Sequence, residues 1–84
     1  EGGVWALLGA MADRRLTLTV ALPPNAHDPV ALTAMAGSRI TGMYIVRPGI
    51  PASITRAQAG PVTLKWNGQE RTVDLAESTR LVLP

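Results

Sequence analysis

Residues 62–66 (VTLKW) and 70–75 (ERTVDL) flank an Asn67-Gly68 pair. Asn-Gly takes up positive φ at little cost, which a tight hairpin turn requires. A two-residue loop sets Val62 opposite Val73. A four-residue loop from Asn67 to Glu70 sets Leu64 opposite Val73 and Val62 opposite Leu75. Either register gathers Val62, Leu64, Trp66, Val73 and Leu75 on one face, and Thr63, Lys65, Thr72 and Asp74 on the other. The pattern predicts a β-hairpin with one wet side, and so a small antiparallel β domain.

The rest of the chain extends this reading. Residues 16–22 alternate strictly, with Leu16, Leu18, Val20 and Leu22 inward and Thr17, Thr19 and Ala21 outward, which predicts a strand. Residues 4–12 (VWALLGAMA) fit two structures. As a strand they put Trp5, Leu7, Gly9 and Met11 on one face and Val4, Ala6, Leu8 and Ala10 on the other. As a helix they carry Gly9 at a cost of about 1 kcal/mol relative to Ala. The strand is preferred, because residues 16–22 need a neighbour and Asp13-Arg14-Arg15 makes a polar turn between the two. Three prolines make residues 23–29 a loop.

Residues 30–36 stay open. Asp28 as a cap, Pro29 in a first turn and Gly37 just past the end describe a short helix. The alternation of Val30, Leu32, Ala34 and Ala36 describes a strand. Residues 38–42 are polar and turn-like, with Ile40 the one apolar anchor. Residues 43–47 (MYIVR) form a strand that Pro48-Gly49 ends. A short strand is expected around Ile54, and residues 81–83 add a last strand or a docked tail. Turn signals at this spacing predict an all-β fold: a small, semi-open antiparallel β-barrel or sandwich of about five to seven short strands.

Eighty-four residues make one domain, with residues 1–3 a flexible leader and residues 4–84 the folded unit. The first residue is Glu1, so the chain reads as a fragment of a longer protein. No stretch reaches the roughly 18 to 20 apolar residues of a membrane helix, and an anchor is expected, if anywhere, upstream. With no Cys there is no disulfide or thiolate chemistry. His27 sits in the proline loop and reads as a solvated side chain. Ser38, Ser53 and Ser78 lie in no nucleophile elbow. Glu1, Asp13, Asp28, Glu70, Asp74 and Glu77 are scattered over turns and the wet face of the hairpin. The expectation is therefore no enzyme, no metal and no cofactor.

Two kinds of binding remain. Arg14, Arg15, Arg47, Arg56 and Arg71 with Trp5, Tyr44 and Trp66 describe a small nucleic-acid-binding barrel. Against it, the net charge is only +2 and Trp66 shares the apolar hairpin face. The second kind uses backbone, because an open sheet edge templates a partner's strand. Residues 4–12 are apolar on both alternating faces. The expected contact is Trp5, Leu7 and Met11, with Arg14 and Arg15 steering an acidic partner. The next candidate is the strand at residues 43–47.

The order of elements resembles a family. VWALLG at residues 4–9, the turn at Asp13-Arg14-Arg15, residues 16–22, Gly37-Ser38-Arg39-Ile40 with Gly42, residues 43–46, and the hairpin around Asn67-Gly68 look like the homology-region domain of type II secretion protein C. The type IV pilus lipoprotein P has a similar layout. The resemblance implies a semi-open barrel of two three-stranded sheets, and it favours extended structure at residues 30–36. It also implies a non-enzymatic module on the periplasmic face of the inner membrane, docking onto the periplasmic domain of an outer-membrane secretin. Residues 23–29 and 47–61 are longer than the family pattern.

Overall fold

The computed structural model describes residues 15–84. Seven strands follow one another: β1 (Leu16–Ala21), β2 (Val30–Ala36), β3 (Arg39–Val46), β4 (Ala52–Arg56), β5 (Gly60–Trp66), β6 (Gln69–Leu75) and β7 (Thr79–Val82). They form a three-stranded sheet ordered β4-β1-β7 and a four-stranded sheet ordered β3-β2-β5-β6. The fold is all-β and does not close into a barrel. Every pairing is antiparallel except β1 with β7, which is parallel.

Alternation along the strands builds the core. Leu18 and Val20 of β1 point inward with Ile54 of β4 and Leu81 of β7. Leu32 and Ala34 of β2, Val46 of β3, Val62, Leu64 and Trp66 of β5, and Leu75 of β6 face them from the other sheet, in one cluster. The core is aliphatic apart from Trp66. No polar or charged residue among those described is buried as a whole, although Nη1 of the half-buried Arg56 is covered and has no hydrogen-bond partner.

The hairpin of β5 and β6 adopts the two-residue loop, with Val62 opposite Val73 and Trp66 opposite Gln69. Asn67 and Gly68 both have positive φ, 47° and 76°, the type I′ pattern. On its wet face the Thr63 and Thr72 hydroxyls hydrogen-bond at 3.0 Å. Lys65 and Glu70 pair at 3.5 Å.

Three expectations need correction. First, residues 4–12, expected beside β1, lie outside the described residues, and both sides of β1 are taken by later strands. Its neighbours are β4 and β7, because Leu81 and Leu83 must enter the core and the last strand docks to bring them there. The Leu83 N–H donates to the Ala21 carbonyl at 2.9 Å, and the Thr17 N–H donates to Ser78 Oγ at 3.0 Å, extending that pairing. Second, one sheet has four strands, not three. The long segment at residues 47–61 supplies β4 to the smaller sheet, and β2 joins β3, β5 and β6 in the larger. Third, residues 38–42 are not a turn around a buried Ile40. The turn is Gly37-Ser38, β3 starts at Arg39, and Ile40 is 58% exposed.

Candidate functional site

Of the residues expected to carry a contact, Trp5, Leu7, Met11 and Arg14 lie outside the described residues. Arg15 is exposed, just before β1. His27 and Asp28 are exposed in the loop after β1, and Ser38, Ser53 and Ser78 are exposed on three separate elements. Among the described residues no three His, Cys, Asp or Glu side chains gather where a metal could bind.

The distinctive surface is β3. Among the described residues it ends its sheet, with β2 as its one strand neighbour. Ala34 pairs with Gly42, but Met35 pairs with Ile40, so Thr41 is an extra residue in a β-bulge. Thr41 Oγ1 donates to the Ala34 carbonyl at 3.2 Å. The bulge resets the alternation. Gly42, Tyr44 and Val46 lie opposite inward-facing residues of β2 and turn to the core. Ile40, Met43 and Ile45 all face out, 58%, 76% and 53% exposed, although 40 and 43 differ by an odd number. This is why the row escapes a period-two reading of the sequence. The usable signal was MYIVR itself, a strand with no charge before Arg47.

The other three edge strands are each protected. β7 has only four residues. β4 has five and follows Pro51. β6 exposes Glu70, Arg71 and Asp74. Short length, proline and charge are the usual devices against unwanted strand pairing. From Gly42 to Val46, β3 carries none of them, and its eight residues make it the longest strand.

The remaining features are less directed. Arg47 and Arg80 line a cleft of about 270 Å³ whose other walls include Leu22, Pro23 and Ile50. Arg15 and Arg56 lie near each other at one end of the smaller sheet, where Arg56 pairs with Leu16, whereas Arg71 is on β6 of the other sheet. Trp66 is 6% exposed and Tyr44 packs partly buried against the core, so neither offers an open stacking face. Comparison with protein-family models, curated proteins and solved structures finds no match for this chain.

Proposed function

We propose that this domain is a non-enzymatic protein-interaction module whose contact surface is the outward face of β3. One observation carries the reading: Ile40, Met43 and Ile45 form an exposed apolar row on an edge strand that carries neither charge nor proline from Gly42 to Val46. Covering the apolar area that these side chains still expose contributes about 25 cal/mol per Å², set against the cost of association. The partner class comes from the sequence resemblance: a component of a bacterial envelope secretion or pilus apparatus, with a secretin periplasmic domain as the first candidate and the periplasm as the expected location. The alternative, a nucleic-acid-binding barrel, gains no support from the placement of Trp66, Tyr44 and the arginines.

The test is a paired substitution, Met43→Lys with Ile45→Lys. Both side chains are exposed, so the melt should move little, about 0.5 kcal/mol or less per site. Binding to an immobilised secretin periplasmic domain should fall at least tenfold. Full binding by the folded variant would place the contact elsewhere. No binding by the wild type would remove the secretin. Tight, salt-sensitive binding of a labelled oligonucleotide would favour the alternative, because counterion release makes phosphate contacts salt-dependent.

A further inference from the structure

We infer that β3 is completed by strand addition: an extended segment of another protein, apolar at alternate positions and acidic at its ends, pairs its backbone with Met43 and Ile45. The inference rests on β3 being the contact element, and adds the mode of docking and the chemistry of the partner.

Backbone direction comes first. The Ala34 carbonyl accepts from Thr41 and therefore points toward β3. Strand period two points Leu32 and Val30 the same way. Their partners Tyr44 and Val46 meet them. Met43, Ile45 and Arg47 then turn their N–H and C=O groups away from β2. Arg47 uses its own on Ile50: its N–H donates to the Ile50 carbonyl at 3.2 Å, and the Ile50 N–H donates back at 2.9 Å. Ile50 thus occupies the first place on the outer side of β3, and Pro51 ends that line. Among the described residues nothing pairs with the outward backbone groups of Met43 and Ile45, and both side chains are exposed and apolar.

Charge selects the partner. Arg39 and Arg47 bracket the strand, and Arg80 joins Arg47 in the cleft where β3 ends. Among the described residues the one ion pair is Lys65 with Glu70, so none of these arginines meets a carboxylate there. An incoming strand with acidic ends complements them. A second copy does not, because antiparallel pairing about Met43 brings Arg39 of one copy toward Arg47 of the other, and like charges across a pair destabilise it.

The test uses the whole chain and two labelled, end-blocked peptides, Asp-Val-Thr-Val-Thr-Val-Asp and the same peptide with Lys for both Asp. In low salt the acidic peptide should bind at least about tenfold more tightly. Its saturation should slow amide hydrogen exchange at Met43 and Ile45 by about tenfold or more, leaving Gly42 and Tyr44 unchanged. Ile45→Pro keeps an apolar side chain and deletes one outward N–H, so it should lose the peptide, whereas Ile45→Val should keep it. If Ile45→Pro fails to fold, the wild-type exchange pattern decides. No binding, equal binding of both peptides, or unchanged exchange at Met43 and Ile45 overturns the inference. So does a dimer of the free chain that Ile45→Pro dissociates, which would assign the edge to a second copy. Normal binding by Ile45→Pro, with loss in the Met43→Lys, Ile45→Lys variant, overturns strand addition and leaves the contact face standing. Normal binding by both overturns both.

Discussion

Two glycines show how differently one residue type constrains this fold. At Gly68, φ is +76° and no atom lies within 4 Å of where a Cβ would sit. Gly68→Val should therefore cost about 1–2 kcal/mol through the backbone alone, read as a lower midpoint in urea with unchanged slope. At Gly42 the backbone is ordinary and the obstacle is a neighbour, since a Cβ there would lie 2.6 Å from Tyr44 Oη and 2.8 Å from ring carbons. Gly42→Ala must displace that ring. Combining it with Tyr44→Ala should cost less than the sum of the two single changes, with a coupling of about 1 kcal/mol in a double-mutant cycle. The Asn67-Gly68 turn is legible in the sequence because the dipeptide states its own φ requirement. The Gly42–Tyr44 contact is not, because it depends on which face follows the bulge.

At the scale of elements, the hairpin and the strand at Leu16–Ala21 are legible because half-buried strands write their burial as alternation. The segment from Val30 to Ala36 was ambiguous for a physical reason: Asp28, Pro29 and Gly37 suit helix ends and strand turns alike. In the fold Gly37, at φ +61°, serves the turn into β3 rather than a helix terminus. The apolar row of β3 was concealed by Thr41, whose insertion puts Ile40 out of phase with Met43 and Ile45. The parallel pairing of β7 was also hidden, since nothing local records a partner some sixty residues away. That pairing places Leu81 and Leu83 in the core, 9% and 2% exposed. Deleting residues 79–84 should strip two core leucines and abolish the cooperative thermal transition. Loss of one buried leucine already costs about 2–5 kcal/mol, comparable to the whole stability of a small domain.

At the scale of the molecule, the strand orders β4-β1-β7 and β3-β2-β5-β6 divide the contacts into near and distant ones. The β5–β6 and β2–β3 hairpins close over two residues each, whereas β1 must wait for β7. Folding should therefore be slow for the chain's size, in the millisecond-to-second range. Val62→Ala should chiefly slow folding and Leu81→Ala chiefly speed unfolding, as separate arms of a stopped-flow chevron. The parallel register of β1 and β7 has a mechanical consequence. The chain comes in along β1 from the Leu16 pole and leaves along β7 at the Leu83 pole, so a pull on these two ends runs lengthwise along the strands. Such a load shears every β1–β7 hydrogen bond together instead of peeling them one by one. Stretched from Leu16 and Leu83, the domain should yield at a higher force than when stretched across the Asn67-Gly68 hairpin, a geometry suited to a link that carries tension.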